Sequence, residues 1–390
     1  MKVAARAQVP PFAVMDIIAA ANARRAVGQD VLNLAAGEPA AGASTVVRQR
    51  AIDLLGAGGL GYTEAVGMPL LREAIAGHYR DWYDVALDPR NVAVTTGSSG
   101  GFVLAFLTAF EAGDRVALTR PGYPAYRNIL ASLGCEVVQL ACGPPTRFQP
   151  TVEILDAAHA QRPIDGLVVA SPANPTGTMI DAAGLAGIAH WCAGHGVRLI
   201  SDEIYHGITY TDAQAATAAR FLDTGAIVVS SFSKYWAMTG WRVGWLLLPQ
   251  DLVPPVDALA GNIALCPPTL AQHAAIAALS PEGMAAARTQ VDGYADVRAL
   301  LLERLPELGW TDVAPADGAF YLYADISASG LDSPTWCARL LDEAGVALTP
   351  GTDFDPVDGH RYVRLSFASS VDVVGAAVDR IVAWQRTLRG

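Results

Sequence analysis

The chain has 390 residues, 52% of them hydrophobic and 17% charged, with 37 glycines and 24 prolines scattered along it. Such a length exceeds what one core usually serves, and the balance is that of a compact globule. It excludes a disordered or fibrous chain and predicts one large domain with a smaller companion. A formal charge of −11 argues against a nucleic-acid partner, because binding a phosphate backbone needs a basic face.

In chain order, the first 40 residues are too few for a domain and are expected to pack on the rest. No basic and apolar leader opens the chain, and the longest strongly apolar piece, GFVLAFLTAF, is too short to span a bilayer. A cytoplasmic protein without membrane contact is the expectation. Short apolar, β-branched runs then follow from residue 92 to 230: VAVTT, RVALT, EVVQL, LVVAS, VRLIS and AIVVS, separated by helical patterns. Continuous apolar strands alternating with helices predict an α/β fold, a mostly parallel sheet covered on both faces. A further run, VGWLLLP at 243–249, is placed at the sheet edge. Helical patterns at 251–261, 268–279 and 281–305 lead into a different texture. Strand FYLYADI, helix SPTWCARLLDEAG, strand YVRLSFA and a last helix predict a smaller α+β domain. The division expected is a segment 1–40 lying on both domains, a large domain 41–285 and a small domain 286–390.

In open α/β sheets, ligands bind beyond the carboxyl ends of the strands. The unusual sequence lies at those ends: TGSSGGF, TRPGYP, SPANPTG, SDEIYHG and SSFSK. TGSSGGF (96–102) reads either as a phosphate cradle of N–H groups at a helix start or as a capped turn. Its Gly97, Ser99 and Gly101 also spell GxSxG, the nucleophile elbow of α/β serine hydrolases, with Asp325 and His360 following in the required order. The strand before Asp202 looks like a Walker B motif, yet neither lysine lies in the GxxxxGK[ST] loop that a P-loop enzyme needs. A metal site on Asp202 and His206 lacks further ligands at useful spacing, so none is expected. That leaves Asp202 as a partly desolvated carboxylate for a cationic ligand group, or as a helix cap. Asn174 is an ordinary turn residue or a ligand contact, and Tyr123 a core aromatic or a stacking platform.

Of 27 basic residues only Lys2 and Lys234 are lysine. In a chain that uses arginine wherever a charge will do, Lys234 marks a place where a guanidinium fails. A primary amine at the carboxyl edge of a sheet can form a Schiff base with a carbonyl, which arginine cannot. Arg364, between Val363 and Leu365, is costly to bury without a carboxylate from the protein or from a substrate. Five cysteines (Cys135, Cys142, Cys192, Cys266, Cys337) are an odd number with no CxxC pair and read as reduced core residues.

In this order LNLAAGEP, GYTEAVGMPLLREAI, TGSSGGF, PGYPAY, SPANPTG, SDEIYHG, SFSKYWAMTGWRVGW, GAFYLYADIS and YVRLSFA cover nearly the whole chain. Together they resemble the fold type I, class I/II aminotransferases that use pyridoxal 5'-phosphate, and look most like actinobacterial aspartate or valine–pyruvate members. The resemblance implies that Lys234 forms the Schiff base with the cofactor aldehyde and then serves as general acid and base. Asp202 would pair with the pyridinium nitrogen, Tyr205 and Asn174 would bond the phenolic oxygen, and Tyr123 would stack on the ring. Ser98, Ser99, Gly100, Ser231 and Arg242 would hold the phosphate, joined by Tyr62 from the second subunit of a homodimer. Arg364 would clamp the substrate α-carboxylate beside Gly37 and Asn174, and the N-terminal VPPFAVMDI would close over the site with Phe12. The reaction implied is ping-pong transfer of an amino group from an α-amino acid to a 2-oxo acid, leaning to alanine or valine with pyruvate. Aspartate transamination, β-elimination on the same cofactor and serine hydrolysis at Ser99 are the other readings.

Overall fold

The computed structural model describes residues 1–210 and 214–388. Its strands are β1 (Leu32–Asn33), β2 (Val92–Thr95), β3 (Arg115–Arg120), β4 (Glu136–Ala141), β5 (Gly166–Ala170), β6 (Arg198–Asp202), β7 (Ile227–Ser231), β8 (Gly244–Leu247), β9 (Tyr321–Asp325), β10 (Val346–Ala347), β11 (Thr349–Pro350) and β12 (Tyr362–Ser366). Seven of them build one sheet in the order β2-β8-β7-β6-β5-β3-β4. Alternate residues of each central strand feed opposite layers. Leu167, Leu199 and Leu247 join one buried apolar cluster, while Val168, Ile200 and Leu246 join another on the far face. Because both faces are covered, the strands can be apolar without a break, and every residue of β2, β7 and β8 is buried.

The expectation of an edge position for the 243–249 run fails. β8 lies inside the sheet, antiparallel to both β7 and β2, in register Gly244↔Ser231 and Gly244↔Thr95. Burial on both faces does not fix a run's place across the sheet, since β2 is as fully buried as β8 and yet lies at an edge. The edge role falls to β2, which other elements cover, and to β4, whose Glu136, Gln139 and Ala141 reach solvent.

A second, antiparallel sheet has the order β11-β12-β9, and β1 pairs in parallel with β10. The larger apolar cluster runs without interruption from Leu167 in the seven-stranded sheet to Leu322 and Val363 in the three-stranded one. The N-terminal helix α1 (Ala13–Ala26) rests Val14, Ile17 and Ala21 against Leu341 and Ala347. Among the described residues no helix is long and apolar enough to cross a membrane.

Candidate active site

The loops after five strands of the large sheet converge on one cavity of about 740 Å³. Beyond β2 the chain turns at Gly97, φ +67°, and starts the helix from Gly97 to Ala109, which has no side-chain cap. Uncapped N–H groups and the positive end of the helix dipole make this first turn an anion site. Arg242 reinforces it. The loop from β7 to β8 holds Arg242 at φ 54°, its guanidinium donates to the Thr239 carbonyl at 2.9 Å, and it lies so close to Gly97 that a Cβ there would sit 2.5 Å from a guanidinium nitrogen. Only glycine fits between that cation and the helix start. Ser98, Ser99 and Arg242 line the cavity. Gly100 and Ser231 do not; the Ser231 hydroxyl, buried, accepts from the Ser233 N–H at 3.0 Å, and Ser233 takes the place in the wall. Tyr62 is 84% exposed on the outside.

Lys234 stands in the same loop, three residues past the end of β7. Its ammonium donates to the Gly37 carbonyl at 2.5 Å. Burial pushes its pKa down to about 8; the Glu38 carboxylate opposes this, while the Arg364 and Arg242 cations add to it. Opposite, Asp202 ends β6 fully within the protein. One carboxylate oxygen accepts from the Ile204 N–H at 3.0 Å and the other from the Tyr126 hydroxyl. Burial raises this carboxyl to about 6, against the pull of both hydrogen bonds and of Lys234. Tyr123 faces the cavity at the start of the helix from Pro124 to Leu133, and Phe12 stacks on it with ring centroids 6.1 Å apart. Phe12 thus brings the N-terminal segment over the site, and Val14, Met15 and Ile18 extend an apolar wall.

The other sheet contributes Arg364. Its side chain is 3% exposed, with nitrogen atoms donating to Asn174 Oδ1 at 2.8 Å, the Ala35 carbonyl at 2.6 Å and Thr349 Oγ1 at 3.2 Å. The guanidinium is sandwiched between the rings of Tyr321 and Phe354 at 4.6 and 4.7 Å. Among the described residues it has no carboxylate partner, and its Nε is buried without an acceptor. A buried cation that the protein leaves unpaired is costly, and an anionic ligand would offset that cost. The sequence left open whether its partner was protein or substrate; the protein supplies none.

Other candidates lie apart. Ser99 has no histidine beside it: the Asp325 carboxylate is occupied by Arg361, and the exposed His360 bonds the Val357 carbonyl. His206 points away from Asp202 to Tyr83 Oη at 2.8 Å and to the buried Glu203. Tyr126 and Tyr321, both in the cavity wall, went unnoticed in the sequence. Tyr126 lies one helical turn beyond Tyr123, a spacing that could have drawn attention to it. Tyr321 is revealed only by strand pairing, since it stands opposite Ser366, two residues beyond Arg364 on β12.

The family description of aminotransferase class I and II matches residues 29–381. The chain belongs to that family. This aminotransferase is 52% identical to a valine–pyruvate aminotransferase of Mycobacterium tuberculosis over 98% of both chains, and 32% identical to an aspartate aminotransferase of Geobacillus stearothermophilus over 98% of both. It superposes on the crystal structure of an aminotransferase from Mycobacterium tuberculosis with a TM-score of 0.96, at 51% identity, over 99% of this chain and 100% of the other. The enzyme therefore has the fold type I architecture and depends on pyridoxal 5'-phosphate. The donor set suits that cofactor: an uncapped helix start with Arg242 for a phosphate, a half-buried amine for an aldehyde and a buried carboxylate for a ring nitrogen.

Proposed function

We propose that the enzyme takes the amino group from a neutral, aliphatic α-amino acid such as valine or alanine and delivers it to pyruvate, in two half-reactions at one site. The charge inventory of the cavity carries this reading. Among the described residues its cations are Lys234, Arg242 and Arg364. With these given to the aldehyde, the phosphate and the α-carboxylate, no cation remains for a side-chain carboxylate, and Glu38 in the wall would repel one. Val14, Met15 and Ile18 suit an aliphatic side chain instead. The name of the 52% identical relative agrees, while the aspartate aminotransferases stand near 32%.

Bound pyridoxal phosphate supplies an aldehyde for the amine and a ring that withdraws electrons from the substrate α-carbon. In this reading Lys234 holds the resting cofactor and then moves the α-carbon proton. With its pKa at about 8, roughly a tenth of the amine is free at pH 7, against about one part in three thousand for an ordinary lysine. Asp202 serves the ring nitrogen, Tyr205 and Asn174 the phenolic oxygen, and Tyr123 the ring face. Ser98, Ser99, Gly100, Ser231 and Arg242 serve the phosphate, and Arg364 with Gly37 and Asn174 the α-carboxylate. The chain works as a cytoplasmic homodimer in which Tyr62 reaches the other subunit's phosphate; the exposure of Tyr62, with Ile52, Leu55 and Leu70 at 58–63%, supports such a surface. The test is optical: valine or alanine should bleach the yellow protein at least about tenfold faster than aspartate, and pyruvate should restore the colour. Preference for aspartate overturns the substrate class, and a Lys234→Ala protein that still completes the cycle overturns the role of Lys234.

A further inference from the structure

Tyr321 touches three parts of the site at once. Its hydroxyl lies 2.6 Å from that of Tyr205, its ring lies 4.6 Å from the Arg364 guanidinium, and its oxygen lies against Gly37, whose carbonyl holds Lys234. The side chain is 0% exposed. Two phenols at this distance share one hydrogen bond, and each has only one proton to give. If Tyr205 donates to Tyr321, no proton of Tyr205 is left for anything else in the cavity. If Tyr321 donates, the Tyr205 proton is free. Among the described residues Tyr321 has no acceptor other than Tyr205, and a buried hydroxyl proton left without an acceptor is costly. Burial pushes both phenols up and the Arg364 cation pulls against it in both, but Tyr205 is raised well above the ordinary tyrosine value, which leaves Tyr321 the more acidic of the two and the better donor.

We propose that Tyr321 is a positioning residue whose hydroxyl donates to Tyr205 and thereby aims the Tyr205 proton at the phenolic oxygen of bound pyridoxal phosphate. The inference rests on the role given above to Tyr205. Nothing in it requires Tyr321 to touch the cofactor.

The test is a pH titration of the colour of the cofactor-loaded enzyme without substrate, on the parent, Tyr205→Phe, Tyr321→Phe and the double variant. An oxygen that loses a donor holds the proton it shares with its neighbour more tightly, so the colour midpoint should rise in Tyr205→Phe. In Tyr321→Phe it should rise by about half to one pH unit, the effect of one weakened hydrogen bond. In the double variant, removing the Tyr321 hydroxyl should add nothing to Tyr205→Phe. A midpoint that Tyr205→Phe leaves in place sinks the role of Tyr205, and this inference with it. If Tyr205→Phe moves the midpoint and Tyr321→Phe does not, the inference alone falls. It falls likewise if the Tyr321→Phe shift is as large without the Tyr205 hydroxyl as with it.

Discussion

Replacing Arg364 by lysine keeps the positive charge on β12 and removes the fork. The arginine spreads its donors over Asn174 at 2.8 Å, Ala35 at 2.6 Å and Thr349 at 3.2 Å while lying flat between Tyr321 and Phe354. A lysine ammonium is a compact charge with three donors and no plane, so it can meet one oxygen of a carboxylate but not both in parallel. One charge-assisted hydrogen bond is worth about 1.5–3 kcal/mol. At about 1.4 kcal/mol per factor of ten, kcat/KM for valine should fall by roughly 10- to 150-fold. Most of the loss should appear as a raised KM, because the α-carboxylate is held in ground and transition states alike. Single-turnover bleaching by valine and by an aliphatic amine without a carboxyl group separates clamp damage from general damage: the amine rate should change by less than about threefold. If valine is turned over by Arg364→Lys within about threefold of the parent, the unpaired cation is not the carboxylate clamp and the reasoning from its burial is wrong.

The Tyr126 hydroxyl opposes the upward push of burial on Asp202. In Tyr126→Phe the carboxyl should titrate above about 6, moving the acid limb of the kcat/KM profile up by about half to one pH unit; an unmoved limb refutes the coupling. At Gly37 a Cβ would stand 2.4 Å from the Tyr321 hydroxyl and no closer than 3.4 Å to its ring. Gly37→Ala should therefore cost about 1–3 kcal/mol by urea denaturation, and adding Tyr321→Phe should recover much of it; no recovery means the clash lies elsewhere. In the cofactor-free enzyme the pKa of Lys234 falls from 10.5 to about 8. Between those values the unfolded chain binds a proton that the folded one has released, so this residue makes stability rise with pH across that window, by up to about 3 kcal/mol. Lys234→Met should flatten the rise, and a pH-independent gap between parent and variant would contradict the depressed pKa.

What could be read from the sequence was whatever one segment displays by itself. Lys234 stood out because arginine replaces lysine everywhere else but at Lys2, and Asp202 because a carboxylate ends an apolar strand. The apolar runs announced a covered sheet, and β3 to β7 formed where the runs lay. Hidden were the facts that depend on pairing. VGWLLLP carries no mark of its neighbours, so its insertion between β2 and β7 could not be told from an edge position. Ser231 and Ser233 are equivalent on paper, and only the path of the chain after β7 turns one inward and the other to the cavity. Tyr321 meets Tyr205 and Arg364, partners 116 and 43 positions away, through a register that local pattern does not encode.

The interior place of β8 also orders events during synthesis. β2 hydrogen-bonds to no other strand of its sheet, and its pairing of Thr95 with Gly244 closes about 150 positions of chain. The helix that begins right after β2 carries the anion-binding turn and packs on both β7 and β8, so its seat is incomplete until β8 has emerged from the ribosome and slotted in. Long-range closure of this kind is slow and late. A nascent chain that already displays Asp202 and Lys234 thus still lacks a settled phosphate cradle, and capture of the cofactor must follow completion of the large sheet.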